Sequence, residues 1–471
     1  MRSILRRPAV VIFLALVLGV AACAARATNQ TTPAAETNAA PPRADAPSSA
    51  QPTATPTPAE VTAAAAAAAT DPNAATVVAA SVEWPQWRGP NRDGVVAGAS
   101  APVTWPKELK EQWRVTVGVG HSSPVVSEGR VYQFARQGEE EVLIALDAAT
   151  GKELWKAAGL PAPYEMNPAA RGHGKGPKST PVVADGRVFT LGITGVLSAH
   201  DAKTGRLVWR KDFSKQYPVT SPLYGTAMSP LVEGGLLVAH VGGHDRGALT
   251  AFDPATGAVR WSYDADGPAY SSPIVFTAGG ERQIVTFTQK EFVSVSAATG
   301  KLLWKLPAKT MYDTNCNTAV AYKDTIIFSP EGKGIVAVRP VRQGGAWAAQ
   351  EVWANAENEL YMSSPVLHGN ILFGLSARKK GQFFALDAAT GKTLWQGEGR
   401  AGENAALLNL GGTLLALTND AVLLVLPADA KAFAPAARYT VAASPTWAHP
   451  VFLGDRILVK DETTLASLSL K

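Results

Sequence analysis

Leu146-Asp147-Ala148-Ala149-Thr150-Gly151-Lys152-Glu153-Leu154-Trp155 decides the fold. Apolar residues run into an aspartate, a short polar stretch ends in glycine, and a second apolar strand ends in tryptophan. An aspartate carboxylate accepts backbone N–H groups a few residues on, and glycine takes the positive φ that reverses the chain. The phrase therefore encodes a hairpin. It returns at Asp201-Ala202-Lys203-Thr204-Gly205, Asp253-Pro254-Ala255-Thr256-Gly257, Ala297-Ala298-Thr299-Gly300 and Asp387-Ala388-Ala389-Thr390-Gly391. A phosphate-binding loop does not come in five copies, so the glycines are read as turn formers.

Upstream of each hairpin lies a second recurring phrase, small-small-Pro followed by apolar residues. It reads Ser122-Ser123-Pro124, Ser179-Thr180-Pro181, Met228-Ser229-Pro230, Ser271-Ser272-Pro273, Ser363-Ser364-Pro365 and Ala448-His449-Pro450, with weaker copies around Ala319 and Ala406. That makes eight units of four short strands at the spacing of β-propeller blades. Trp155, Trp209, Trp261, Trp304, Trp353 and Trp395 each fall in a fourth strand, and Tyr439 takes that place in the seventh unit. We read these rings as structural, packed between neighbouring blades. The eighth unit ends after three strands. Its fourth is expected from the other end of the chain, where Gln112-Trp113-Arg114-Val115 has the same pattern. Closure would protect the edges an open sheet exposes. The fold class is all-β, an eight-bladed propeller of four-stranded antiparallel blades.

The propeller is assigned to residues 83–471. Before it, Arg2, Arg6 and Arg7 precede an apolar stretch, Ala9 to Val20, followed by Ala21-Ala22-Cys23. This is the pattern of a signal peptide over residues 1–22. Small residues before a cysteine resemble a bacterial lipobox, which implies lipidation of Cys23. Ala24 after it implies, by the same analogy, outer-membrane sorting with a periplasm-facing domain. Residues 23–82 are rich in Ala, Thr and Pro and carry almost no large apolar side chains; they are read as a disordered tether. No apolar run is long enough to span a bilayer. Two cysteines in 471 residues exclude a disulfide framework. A net charge of +5 spread along the chain gives no reason to expect a nucleic-acid partner.

The Ala-Thr-Gly-Lys-x-Leu-Trp phrase resembles the tryptophan-docking repeat of pyrroloquinoline-quinone (PQQ)-like eight-bladed propellers. Trp84-Pro85-Gln86-Trp87-Arg88-Gly89-Pro90-Asn91-Arg92-Asp93-Gly94 resembles the opening segment of bacterial members. That family includes PQQ-dependent alcohol and sugar dehydrogenases and also the quinone-free, BamB-like outer-membrane lipoproteins. The resemblance places the short strand 1–2 and 3–4 turns on one face and the longer 4–1 and 2–3 links on the other. Segments 157–178, 211–227, 305–316 and 242–247 are read as the working loops. They and the neighbouring channel mouth supply the candidate ligand or partner residues: His121, Arg171, His173, Lys175, Lys178, His244, Asp245, Arg246, Tyr270, Asp313, Asn315, Asn317, Glu403, Asn404 and Trp447.

A dehydrogenase of this type needs a Ca²⁺ with hard oxygen ligands and a carboxylate base. Glu403 with Asn404, Asp313 with Asn315, and a Trp447 floor are the available counterparts. No crowding of ligands, no Cys-Cys pair and no haem-attachment motif accompanies them. His173 and His244 are read as loop-capping rather than metal-binding, 171–178 as a solvated glycine-rich loop, and Cys316 as a buried small residue. We therefore expect no catalytic residue, no metal and no cofactor. The leading reading is a monomeric, lipid-anchored scaffold for other envelope proteins, resembling the BamB group. A PQQ/Ca-dependent oxidoreductase and a small-ligand or glycan receptor stay open, and a neutral, aromatic channel mouth with Trp447 exposed would favour the last.

Overall fold

Eight four-stranded antiparallel sheets form the propeller in the computed structural model, which describes residues 82–99, 101–102 and 104–471. The chain divides at 75/76, and every described residue belongs to the second unit, Thr76–Lys471. The signal peptide, Cys23 and most of the tether lie outside the described residues. The strand labelled β1 (Lys110–Thr116) pairs with the chain's last strand, Thr464–Ser469, from Lys110 opposite Ser469 to Thr116 opposite Thr464. The last blade thus takes its outer strand from the start of the domain and its inner three from the end, as the repeat register requires. The first blade is β2 (Val125–Ser127), β3 (Arg130–Gln137), β4 (Glu140–Asp147) and β5 (Glu153–Lys156), from axis to rim, with Leu160–Pro161 added against β4.

The quoted hairpin joins β4 to β5. Asp147 Oδ1 accepts from the Ala149 N–H, the Thr150 N–H and the Thr150 hydroxyl, at 3.1, 2.8 and 2.7 Å. Gly151 sits at φ 70°, and a Cβ there would stand 2.6 Å from the Trp113 ring of the preceding blade, so only glycine fits on both counts. Trp113 also donates its indole N–H to the Ala148 carbonyl. The same contact runs round the ring: Trp155 to Ala202, Trp209 to Pro254, Trp261 to Ala297, Trp353 to Ala388 and Trp395 to Asp429. Each tryptophan therefore caps the turn of the next blade. Trp304 differs, because the fifth blade has no such turn. Its N–H goes to Gln283 Oε1, and its ring joins Phe292 and Phe328 in the core between blades four and five. Tyr439 differs too; its hydroxyl donates to the Pro106 carbonyl.

A β-bulge precedes each of the seven tryptophans. Trp155 opposes Ala145 while Glu153 opposes Leu146, which leaves Leu154 as the extra residue. The shift recurs beside Trp113, Trp209, Trp261, Trp304, Trp353 and Trp395, and the Tyr439 pairing has none. A bulge re-aims the following side chain, here toward the neighbouring blade.

Near the axis, the residue before each Pro marker ties one blade to the next. The Ser123 N–H donates to the Thr180 hydroxyl, Thr180 to Ser229, Ser229 to Ser272, Ser272 to Thr318 and Thr318 to Ser364; the His449 N–H donates to Ser123. Small hydroxyl residues recur there because each must fit and accept at the crowded centre. The chain is interrupted at Ala405, which has no hydroxyl, and at His449.

The segment 242–247 is not a long loop. Leu236–Gly243 and Arg246–Phe252 pair up to Gly243 opposite Arg246, so the chain reverses over His244 and Asp245 alone. Tight pairing of Gly242 with Gly247 leaves no room for a working loop.

Candidate functional site

The innermost strand of every blade has one unpaired edge facing the channel, so carbonyls and amides collect there. Residues 84–96 meet that demand and contact all eight blades. Trp84 bridges to Val126 in blade one, and the Pro85 carbonyl accepts from Val183 in blade two. Arg92 donates to Ser229, Pro230 and Pro273 in blades three and four, at 2.9, 3.0 and 2.7 Å. Trp87 donates to Thr318 in blade five, and Arg88 to Pro365 in blade six. Val96 pairs with Asn409 in blade seven, and the Trp87 ring packs 4.3 Å from the His449 ring of blade eight. Arg88 is fully buried and Arg92 is 2% exposed. Burial lowers their pKa values to about 10 and about 9, so both stay charged at neutral pH. The Glu83 carboxylate accepts from Glu128 in the β2–β3 turn, which puts the start of this plug on the short-turn face.

Above the plug lies a cavity of about 540 Å³. Its base is Trp87, Thr318 and His449, and its walls come from all eight junctions between one blade's outer strand and the next blade's inner strand. Counting three residues back from the marker at each junction gives His121, Lys178, Ala227, Tyr270, Cys316, Met362, Glu403 and Trp447. All but Glu403 line the cavity, and Asn404 stands in its place. Tyr224, Tyr312 and Tyr361 complete the aromatic wall; Tyr312 and Tyr361 are exposed at the rim with Met311.

On one side His121, His173 and Trp447 form a cluster. His173 lies edge-on to Trp447 at 4.7 Å, and His121 Nε2 is 2.8 Å from the His173 carbonyl, to which it can only donate. A short 3₁₀ turn, Pro168–His173, capped by Asn167, carries His173 into place. Burial and the nearby Lys178 charge bring His121 down to about 3 and also lower His173, so both imidazoles are neutral. Across the cavity Tyr270 accepts the Tyr224 N–H at 3.1 Å. Burial raises the Cys316 thiol to about 12, which keeps it protonated and unreactive.

Of the candidates named from sequence, His121, His173, Lys178, Tyr270, Asn404 and Trp447 line this cavity. Arg171 and Lys175 are exposed on the same loop as His173. His244, Asp245 and Arg246 stand apart in their hairpin, where Gln289 and Lys290 engage the first two. Asp313 faces His244 at 3.9 Å and not the cavity. Asn315 is consumed by carbonyls of Thr288, Gln289 and Ala308, and Asn317 by Ser329. Glu403 is exposed outside the lining. The floor is Trp87, not Trp447, which stands in the wall. Trp87, Tyr224, Tyr312, Tyr361, Met362 and His449 are absent from the candidates; the count of three residues back from each Pro marker finds Met362, His449 sits inside the small-small-Pro phrase itself, and nothing local signals Trp87.

The lining has no carboxylate. Among the described residues no group of three or more His, Cys, Asp or Glu could hold a metal ion. A Ca²⁺ polarising a quinone takes carboxylate oxygens, and the neutral oxygens of Thr314, Thr318 and Asn404 do not supply that set. The residues present do not fit the Ca–quinone pair.

A family model described as outer membrane protein assembly factor BamB matches residues 105–165 and 139–397. The chain belongs to this family of PQQ-like β-propellers. It is 26% identical over 228 residues to an outer membrane protein assembly factor BamB of Shewanella oneidensis, covering 46% of this chain and 55% of that one. It is also 26% identical over 330 residues to the dehydrogenase subunit of a quinone alcohol dehydrogenase of Komagataeibacter europaeus, covering 60% and 41%. The chain thus spans about half the length of these relatives. The crystal structure of BamB from Moraxella catarrhalis superposes with a TM-score of 0.54 at 13% identity, over 77% of this chain and 97% of that one. The chain is therefore similar both to a protein named for assembly and to one named for quinone-dependent oxidation.

Proposed function

We propose that the protein is a non-catalytic binding propeller of the outer membrane, anchored through lipid on Cys23 and engaging its partners at the aromatic mouth. The observation that carries this reading is the composition of the cavity: rings from opposite blades and no carboxylate. Alcohol oxidation by proton abstraction needs a base within hydrogen-bond reach, and burial makes the two imidazoles of the wall weak bases, His121 at about 3 and His173 also lowered, with His121 donating its Nε2–H to a carbonyl. Membership of the BamB-type family supports an envelope location and protein partners. The plug leaves one open end, so a ligand enters and leaves by the long-loop face. The exposed Met311, Tyr312 and Tyr361 give that rim the apolar anchors typical of recognition surfaces.

Photo-crosslinking in cells tests the reading. A benzophenone side chain is placed at Tyr312 or Tyr361 on the rim, and at Arg187 on the short-turn face as a comparison. Protein adducts from the rim and none from Arg187 are expected. Adducts from Arg187 alone, or from neither face, would overturn it.

A further inference from the structure

Lys178 reaches this cavity under unusual conditions. Lys178 is part of the wall across from Met362 and Tyr361, and its Nζ is buried and has no hydrogen-bond partner. An ammonium desolvated without an acceptor is costly, and an oxygen anion brought to it recovers that cost. Glu141 is near enough to raise the Lys178 pKa but makes no ion pair with it; its own Oε1 accepts from the Ile193 N–H, and its Oε2 is also unpartnered. Burial raises Glu141 to about 7, so much of its charge is suppressed near neutrality. Below the floor, Arg88 adds a second cation, with Nε and Nη1 unpartnered. Lys460, beside His121, is a third, held by the carbonyls of Gly120, Asp461 and Glu462. Each of these cations has a carboxylate near it, Glu141, Asp93 and Asp461 in turn, but no carboxylate lines the cavity itself, whereas Lys178 does. Trp and Tyr rings stand among small and neutral residues in the cavity's lining, with Trp447 and Tyr270 contributed by diametrically opposite blades, eight and four. Flat rings with positive charge at the side select a flat ring that carries negative charge.

We propose that the cavity is a binding site for a small aromatic acid, its ring among Trp447, Trp87 and Tyr270 and its carboxylate on Lys178. The proposal rests on the mouth being the binding face, and it adds the chemistry of the occupant.

Isothermal titration of the full-length protein compares indole-3-acetate with indole-3-acetamide, which has the same ring and no charge. The acid is expected to bind at least about tenfold tighter, the difference a charge-assisted hydrogen bond confers. That preference is expected to shrink as salt rises from about 50 to 500 mM. Lys178→Met is expected to abolish the preference, and Lys178→Arg to keep it. Trp447→Ala should weaken acid and amide alike, which separates stacking from charge. Circular dichroism and unchanged melting of each variant show that the fold is retained. Equal affinity for acid and amide, a preference that survives Lys178→Met, or no binding of the acid would each overturn the proposal. PQQ with Ca²⁺ is the remaining arm: metal-dependent binding tighter than that of any monocarboxylate would overturn it in favour of the cofactor. Rim crosslinks with no acid preference would sink this inference alone; acid binding without rim crosslinks would sink the protein-docking reading alone.

Discussion

A single glycine such as Gly151 carries two requirements: a positive φ and the face of the Trp113 indole. That double demand is why the turn phrase stays recognisable from blade to blade. Histidines tell a different story at this scale. His200, His240 and His449 are buried, and burial holds the first two at about 4 and the third well below the ordinary value; His121 is at about 3. Once unfolded, each takes a proton near pH 6.5. Across the window from about 6.5 down to 4 the unfolded chain binds more protons, so stability is lost as pH falls. Glu141, at about 7, works the other way between its unfolded value and 7, and Asp93 and Asp266, which burial also raises, act in the same sense; His173, lowered like the others, makes the opposing histidines five. Urea unfolding at about pH 7.5 and 5 should show a clearly lower midpoint at the acid value. An equal or higher midpoint at pH 5 would mean that these imidazoles are not neutral in the folded state.

Among the elements, residues 84–96 do the most with the fewest residues. The family resemblance marked this stretch as an opening segment; its place as the channel's plug came only from the structure. The reason is physical. Its partners are backbone carbonyls of Ser229, Pro230, Pro273 and Pro365, brought together by closure of the ring and invisible in local sequence. Arg92→Met would strand three of those carbonyls and remove the fourth bond, to Gln86. A loss of about 3 kcal/mol or more is expected, because the orphaned groups are buried. Chemical denaturation checks it, and a loss below about 1 kcal/mol, the scale of a surface change, would show the plug to be dispensable. The bulges were likewise unread, since one extra residue in a strand leaves the apolar pattern nearly intact.

The whole molecule depends on β1 meeting the last strand. Without that pairing the eighth blade has three strands, and the strand at its edge exposes its ladder. Deleting 110–116 removes the pairing and the Trp113 cap on the first blade together. Such a variant should melt many degrees lower and aggregate on heating, as scanning calorimetry with light scattering would show. Melting at the parent temperature would mean that the ring closes some other way. Closure also makes the cavity, since no blade contributes more than a few of its residues. Lys178 and Trp447 are 269 positions apart in sequence and become neighbours of one space only when blades two and eight flank the first.

The sequence by itself determined the number of blades, the hairpin chemistry, the tryptophan register and the donation of the outer strand of the last blade. These are local and repeated, so eight imperfect copies reinforce one reading. Only the tertiary structure decided that the channel is blind, that Trp87 is its floor, and that Asp313, Asn315 and Glu403 are not in its lining. A repeat specifies what each blade does to its neighbour. What collects at the axis depends on eight different junctions and on an inserted segment that follows no repeat, and side chains from such separate places have no common pattern until the ring is closed.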